Sequence, residues 1–167
     1  MKYLVGLLVT AVIAGALATP VMAKDYTIIL LEPDASEMMV LEMDSVAPVR
    51  DDLRTVWTIT FSRGDKAKKS GAARIRSMYW FDCARSRLAL GAIQAFEVGK
   101  TKPFAEKMQS EDKLQWLDEG PDTAFTYMHG HVCGTKPLNP SLLRQAEDDL
   151  ALEQYFLTQL RYKPSGN

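Results

Sequence analysis

Hydrophobic and polar residues alternate along the first two thirds of the chain with the two-residue period of β-strands. In the segment Leu53–Ser62, for example, Trp57, Ile59 and Phe61 fall on one face. Turn-forming residues separate the alternating segments from one another. The pattern predicts five strands, over Asp25–Leu31, Glu37–Met43, Leu53–Ser62, Ala73–Cys83 and Arg87–Val98, of which the last two form a central hairpin.

The pattern changes to a helical period in the last third of the chain. Asp122 has the residue type of an N-cap, and it predicts a helix that ends at Gly130 or Gly134. Asn139, followed by a proline, predicts the start of a second helix that runs to about Tyr162.

The predicted C-terminal helix has a broad apolar stripe. Its members are Leu142, Leu143, Ala146, Leu150, Leu152, Phe156, Leu157 and Leu160. Asp149 and Glu153 interrupt the stripe near its middle, which predicts either partial exposure or a polar contact at that level. These elements together predict a single α+β domain, in which helices pack on one face of a single antiparallel sheet.

The N-terminus has the pattern of a secretory signal peptide. Lys2 precedes an apolar run from Tyr3 to Ala18, and small residues follow before the chain becomes polar. The run is shorter than the roughly 18–20 residues that a transmembrane helix needs, and an uncleaved anchor is the alternative. We expect cleavage after Ala23, an extracytoplasmic location in the periplasm or at the cell surface, and no transmembrane segment after processing.

The charge balance provides no argument for nucleic acid as a partner. The 20 basic and 21 acidic residues of the chain give a net charge of −1. Removal of the signal peptide, residues 1–23, removes Lys2, so that 19 basic residues face 21 acidic ones and the net charge becomes −2. Neither value attracts nucleic acid or an anionic membrane. The mature chain then consists of a sheet domain, residues 24–134, and a C-terminal amphipathic helix and tail, residues 135–167.

The chain has two cysteines, Cys83 and Cys133. A single cysteine pair in an exported protein favours a disulfide, because oxidising compartments maintain such bonds. A loop closed over about 50 residues contributes about 4 kcal/mol in the chain-entropy treatment. Arg85 and Arg87 lie close to Cys83 in sequence, which leaves a reactive or intermolecular thiol as the alternative.

Two histidines, His129 and His131, precede Cys133 at intervals of two residues. This spacing converges on a metal ion only in an extended strand, whereas in the predicted helix the side chains diverge. We therefore expect structural histidines, no bound metal and no cofactor, and a metal site is the alternative.

Four arginines near the predicted central hairpin are candidates for an anion-binding patch. They are Arg74, Arg76, Arg85 and Arg87. The alternative is a solvated surface on which these arginines pair with nearby carboxylates.

The tripeptide Arg63-Gly64-Asp65 matches an integrin-recognised sequence, but nothing adjacent strengthens that match, so we interpret it as a turn. The sequence contains no G-x-S-x-G, H-E-x-x-H or phosphate-binding glycine loop, so no catalytic residue is predicted.

Several residues of little individual specificity occur in a characteristic order. They are Asp44–Val46, Trp57, Asp82-Cys83, Gly99, Trp116, Pro121 and Cys133. In this order they resemble the surface-adhesin protein E family of small exported bacterial proteins, over about Asp25–Gly134.

The family resemblance implies an antiparallel sheet with a helix held against it by a disulfide between Cys83 and Cys133. It also implies a surface-exposed protein that captures host matrix or plasma proteins, in some members as a homodimer. The chain departs from the family at Gly120–Thr123, where Pro-Gly-Ser is common, and it lacks a lipid-bearing cysteine. The resemblance therefore carries over no ligand-contacting residue.

The sequence thus predicts an exported, adhesin-like binding protein of the cell envelope that is not an enzyme. Its expected partner is a protein at the envelope or at a host surface. A periplasmic carrier of a small anionic ligand and a small thiol- or metal-dependent envelope enzyme are the alternatives.

Overall fold

The computed structural model describes residues 23–121 and 123–161. This part of the chain forms one antiparallel sheet of nine strands, together with three α-helices. The α+β class and the single antiparallel sheet are therefore confirmed. Apart from Ala23, the predicted signal peptide lies outside the described residues and stays a prediction. Within the described ranges, no helix has both the length and the apolar character that crossing a bilayer requires.

The sheet is built around the long strands in the middle of the chain. The strands are β1 (Lys24–Leu31), β2 (Glu37–Glu42), β3 (Ala47–Arg50), β4 (Leu53–Ser62), β5 (Arg74–Asp82), β6 (Arg87–Phe96), β7 (Ala105–Met108), β8 (Trp116–Asp118) and β9 (Leu143–Ala146). Their spatial order is β7-β6-β5-β4-β2-β1-β9, while β3 also pairs with β4 and β8 with β6. The five predicted strands correspond to β1, β2, β4, β5 and β6, and the predicted central hairpin is β5–β6.

The three helices are α1 (Asp65–Ser70), α2 (Ala124–Val132) and α3 (Asp149–Gln159). The predicted N-cap of α2, Asp122, lies outside the described residues. Thr123 caps this helix, because its Oγ1 accepts a hydrogen bond from the backbone N–H of Thr126 at 3.2 Å. Gly134 follows the last turn of α2 and has the left-handed conformation that ends many helices, with φ of 73°. Of the two predicted ends, Gly130 and Gly134, the second is therefore confirmed.

The two faces of the sheet bury different apolar clusters. Successive residues of a strand point to opposite faces, and Val40 and Leu41 of β2 accordingly belong to different clusters. Leu152 and Phe156 of α3 pack in the cluster that contains Val40. The cluster around Leu41 is instead covered by α2. The prediction that the helices pack on one face is therefore wrong: α2 and α3 lie on opposite faces, because a sheet that is apolar on both sides must bury both.

The predicted C-terminal helix consists of three separate elements. Asn139 caps only a single 3₁₀ turn, Pro140–Leu142. The chain then continues as β9, which pairs with β1 and satisfies the backbone groups on the outer edge of β1. Asp148 begins α3 by accepting a hydrogen bond from the N–H of Ala151 at 2.8 Å. The prediction of one helix from Asn139 is therefore wrong, because edge pairing with the sheet overrides helical periodicity in the first half of this segment.

Asp149 and Glu153, which interrupt the predicted apolar stripe, make polar contacts. This is one of the two outcomes that the sequence predicts for them. Glu153 is 3% exposed and accepts a 2.5 Å hydrogen bond from Nη1 of Arg74, which is 2% exposed. Arg74 also donates to the carbonyl of Lys100 at 2.5 Å, and its guanidinium lies 4.4 Å from the centre of the Phe96 ring. The N–H of Gly99 donates to the second oxygen of Glu153 at 3.2 Å. One buried ion pair therefore joins β5, α3 and the turn between β6 and β7.

The disulfide between Cys83 and Cys133 is present, with a Cα–Cα distance of 5.7 Å. It joins the residue after β5 to the residue after α2, across 50 positions of the sequence. Both cysteines of the chain are in this bond. The disulfide therefore clamps α2 to the central hairpin, and in this oxidised form neither sulfur is a free thiol.

We expect the double substitution Cys83→Ser/Cys133→Ser to lower the free energy of unfolding by about 4 kcal/mol, because the unfolded chain loses a closed loop of about 50 residues. Urea denaturation of both proteins under non-oxidising handling measures the difference. Wild-type protein treated with a reductant is the control and should approach the variant. A loss below about 1 kcal/mol would contradict the clamp.

We expect Glu153→Leu to lower the free energy of unfolding by about 3–5 kcal/mol, because it leaves the Arg74 guanidinium buried without its carboxylate. The double substitution Arg74→Met/Glu153→Leu should be more stable than this single variant, because it removes both charges at once. Thermal and urea denaturation of the two variants provide the comparison. A double variant no more stable than Glu153→Leu would show that the cost arises from packing rather than from the unpaired charge.

Candidate functional site

An apolar pocket of about 280 Å³ opens between β8 and the N-terminal end of α2. Tyr79, Leu88 and Leu90 of the central hairpin form its floor, while Leu117 of β8 and Phe125 of α2 form two of its walls. We call this site the β8–α2 pocket. Its lining is mostly apolar, and it lies on the face of the sheet that α2 covers.

Strand register and helix position build the β8–α2 pocket. Pairing of β6 with β8 places Leu117 directly opposite Leu88. A bulge in the β5–β6 pairing follows Met78 and sets Tyr79 opposite Leu90. The Tyr79 ring meets the Phe125 ring edge-on, with 5.5 Å between their centres. The edge strand and the first turn of α2 are thus held apart by aromatic and aliphatic side chains, and a gap remains between them.

A buried carboxylate–imidazole pair lies at the border of the pocket. Oε1 of Glu119, a pocket-lining residue, is 3.8 Å from Nε2 of His129 on α2, and both side chains are largely buried. Burial raises the pKa of the Glu119 carboxyl, and the charges of His129 and Lys136 partly oppose that increase. Neither of these two atoms has a hydrogen-bond partner among the described residues. This part of the site therefore holds buried polar groups whose bonding capacity is unused.

The disulfide lies next to this pair. The sulfur atoms of Cys83 and Cys133 and a ring nitrogen of His129 all lie within 4.8 Å of one another. His131 is elsewhere: its ring packs edge-on against Tyr127, with 4.5 Å between centres. The predicted helix is confirmed, and it separates the two histidines as expected. Sequence reasoning missed the four-residue spacing from His129 to Cys133, which places both on one side of a helix.

The structure does not bring the four candidate arginines together. Arg74 and Arg76 lie at the start of β5, where each pairs with a carboxylate of another element. Arg85 and Arg87 lie at the opposite end of that strand, and both pair with Asp82, at 3.7 and 2.9 Å. The pairing with carboxylates matches the alternative, but Arg74 is 2% exposed and therefore lies in the core rather than on a solvated surface. Anion binding by these residues stays a prediction.

A second pocket, of about 310 Å³, lies beside Arg85 and Arg87. Its lining includes three arginines and four carboxylates. The lining arginines are Arg50, Arg85 and Arg87, and the acids are Asp51, Asp52, Asp82 and Glu111. Carboxylates outnumber guanidinium groups here, so the local charge does not favour an anionic ligand.

Arg63 of the Arg-Gly-Asp tripeptide holds the end of α3. Its guanidinium donates to the carbonyls of Phe156 at 3.1 Å and Leu160 at 2.8 Å, and it lies 4.6 Å from the centre of the Phe156 ring. Gly64 has a positive φ of 60° and caps the start of α1. The tripeptide is thus part of the turn between β4 and α1, with its arginine bound to the protein's own helix.

No protein-family model matches the sequence, and no curated protein is similar to it in sequence. The chain is similar to two crystal structures of protein E from Haemophilus influenzae. One is crystal form II, with 13% identity and a TM-score of 0.43 over 58% of this chain and 80% of that one. The other, from a non-typeable strain, has 12% identity and a TM-score of 0.42 over 65% of this chain and 76% of that one. Both carry the protein E name of the family that the sequence signature resembles, but TM-scores below 0.5 say nothing about what this chain binds.

We expect the protein to lose stability as the pH falls below about 6.5, in part because of His131. Burial lowers the pKa of His131 below its usual value of 6.5. Below that pH the unfolded chain therefore takes up a proton that the folded protein resists, and folding becomes less favourable. Urea denaturation at pH 7.5 and at pH 5.5 measures this loss.

The substitution His131→Gln should make the loss between the two pH values smaller than it is in wild type. Comparison with wild type isolates His131 from other titrating groups, including Glu119. Equal losses in wild type and His131→Gln would contradict this assignment.

Proposed function

We propose that the protein is an exported, adhesin-like and non-enzymatic binding protein of the cell envelope, which holds a segment of a partner protein in the β8–α2 pocket. In this proposal the chain is cleaved after Ala23 and acts in the periplasm or at the cell surface. The observation that carries the proposal is an apolar pocket that opens directly beside an edge strand of the sheet.

The size and lining of the pocket favour a side chain of a protein over a cofactor. Its volume of about 280 Å³ lies at the lower limit of small-molecule sites, which typically have about 300–1,000 Å³. Tyr79, Leu90 and Phe125 provide aromatic and aliphatic contacts. Interfaces between proteins obtain much of their binding energy from a few apolar anchors in such pockets.

The neighbouring strand edge favours an extended partner segment. Among the described strands, β8 pairs only with β6, so the backbone groups on its other side face away from the sheet. An extended segment can continue a sheet at such an edge and place alternate side chains on the pocket face. Leu117 of β8 is 64% exposed at the rim of the pocket. The proposed occupant is therefore an extended segment with one large apolar side chain.

Further exposed apolar residues lie along the same edge of the sheet, because β7 and β8 both pair with β6. Phe104 and Met108, which lie before and at the end of β7, are 55% and 67% exposed. The partner is a protein of the envelope or of a host surface, and a second copy of this chain is one form that it can take.

One observation favours the thiol- or metal-dependent alternative. Glu119 and His129 are buried beside the disulfide, with atoms that lack hydrogen-bond partners in the described part of the chain. Buried titratable groups beside a pocket are candidates for chemistry. In the oxidised protein, however, both sulfurs are bonded to each other. The disulfide form therefore fits binding better than thiol catalysis.

We expect Leu117→Asp to weaken partner capture about tenfold or more, because it places a carboxylate at the apolar rim of the pocket. Immobilised mature protein would be exposed to native envelope extract and to host matrix proteins, and captured proteins quantified by mass spectrometry. Analytical ultracentrifugation of the free protein would detect self-association through the same site.

Leu31→Asp is the control, because Leu31 is an exposed leucine at the end of β1, a strand near the opposite edge of the sheet. This variant should capture the same partner as wild type, and both variants should retain the melting temperature of wild type. Equal capture by Leu117→Asp and wild type, or no specific capture and no self-association by wild type, would refute binding at this pocket.

A further inference from the structure

We propose that reduction of the Cys83–Cys133 disulfide creates a Zn²⁺ site, in which the two thiolates and the His129 imidazole bind the ion and Glu119 positions the imidazole. This site borders the β8–α2 pocket and shares only Glu119 with its lining. Its proposed activity is reversible metal binding, controlled by oxidation and reduction of the two cysteines.

The donor atoms already lie close to a metal-binding arrangement. Those of Cys83, His129 and Cys133 are within 4.8 Å of one another. In tetrahedral Zn²⁺ sites, bonds of about 2.0–2.3 Å place ligand atoms about 3.4–3.8 Å apart. The imidazole therefore has to approach by about 1 Å, while the two sulfurs separate once their bond is broken. The cysteine Cα atoms are 5.7 Å apart, so the side chains can diverge without moving the strand from the helix.

Contacts other than the disulfide keep the three ligands together. Met128 and Val132 of α2 are buried against Phe81 and Leu88 of the central hairpin. The N–H of Cys133 donates to the carbonyl of His129 at 2.8 Å, within the last turn of the helix. Reduction removes one covalent link but leaves this apolar cluster intact. The reduced chain therefore presents the ligands from the end of α2 and the end of β5.

Unused polar atoms provide a second, independent observation. Nε2 of His129 and Oε1 of Glu119 are buried, 3.8 Å apart, and without hydrogen-bond partners among residues 23–121 and 123–161. Buried polar atoms are rarely left unpaired, because the lost hydrogen bonds to water are not replaced. A carboxylate beside a histidine that binds a metal is a common arrangement, which orients the ring and increases its basicity. Glu119 fits this positioning role.

The chemistry balances with a dithiol as reductant. Two thiols of the reductant are oxidised to a disulfide, and the Cys83–Cys133 bond accepts the two electrons and two protons to give two thiols. Binding of Zn²⁺ then displaces both thiol protons, so that two thiolate charges neutralise the ion. Two cysteines and one histidine form a ligand set that Zn²⁺ accepts, with a water molecule in the fourth position. A disulfide oxidant that accepts the two electrons of the thiolates, and is itself reduced to a dithiol, would re-form the Cys83–Cys133 bond and release the ion.

The test is a titration with Co²⁺ and Zn²⁺ of natively exported protein reduced with a phosphine, which does not compete as a thiol. We expect a sulfur-to-cobalt charge-transfer band and visible d–d bands, which a single equivalent of Zn²⁺ per chain abolishes. The oxidised protein should show neither. His129→Gln should weaken Zn²⁺ binding by more than about 100-fold, since loss of an orienting partner alone costs about 10- to 100-fold. Glu119→Gln should weaken it about 10- to 100-fold and shift the d–d bands.

His131→Gln is the matched control, because it removes the neighbouring histidine from the same helix and should leave the bands unchanged. Absence of the bands in the reduced wild type, or their persistence unchanged in His129→Gln, would overturn the proposal. If reduction unfolds the protein, Zn²⁺ should restore its circular dichroism in wild type but not in His129→Gln, and failure to restore wild type would also overturn it. Leu117→Asp should bind Zn²⁺ normally, so failure of partner capture and failure of metal binding are distinguishable.

Discussion

The need to bury both faces of one antiparallel sheet governs this structure. In β2, Val40 and Leu41 are both fully buried although they point in opposite directions. No single layer of helix can cover both residues, so the chain must supply cover from two sides. Helix α3 comes from the C-terminal segment and covers one face, while α2 comes from the segment after β8 and covers the other. The remaining features of the fold fix these two helices in place.

The two helices are attached by different chemistry. On one face, Arg74 of β5 binds Glu153 of α3 inside the core, and Arg63 binds the carbonyls at the end of the same helix. Both contacts are specific in direction, so they set the rotation and the end point of α3 as well as its position. On the other face, the link to α2 is covalent, through Cys83 and Cys133. The disulfide holds only the C-terminal end of α2. The first turn of this helix is separated from β8 by a gap, and that gap is the β8–α2 pocket.

The disulfide that holds α2 in place is also the bond whose reduction would create the proposed metal site. A ring nitrogen of His129 lies within 4.8 Å of the disulfide sulfurs, and Oε1 of Glu119 lies 3.8 Å from Nε2 of that ring. The pocket proposed to hold a partner and the proposed Zn²⁺ site thus share Glu119 but otherwise use different side chains. Binding in the pocket relies on apolar side chains that are present in both states. Metal binding requires two thiolates that only the reduced state has.

Local patterns in the sequence were sufficient to predict the elements that are stabilised mainly by local contacts or that follow a single periodicity. Strict alternation identified β4, β5 and β6, and the single cysteine pair of a chain with signal-peptide features indicated the disulfide that the structure contains. Asp149 and Glu153 indicated either partial exposure or polar contacts within an apolar stripe, but their partners Arg76 and Arg74 lie more than 70 positions earlier. The four arginines are near one another in sequence, but the nine residues of β5 separate the two pairs in space.

Tertiary structure alone decided which face each helix covers, where the last helix begins, and which side chains meet His129. Residues 143–146 have helical periodicity but form β9, because the free edge of β1 provides backbone partners that an isolated segment lacks. The pocket depends on the pairing of Leu117 with Leu88 and on the distance between two elements that are far apart in sequence. Periodicity shows which face of a strand or helix is apolar, whereas the residues that contact that face depend on the tertiary fold of the whole chain.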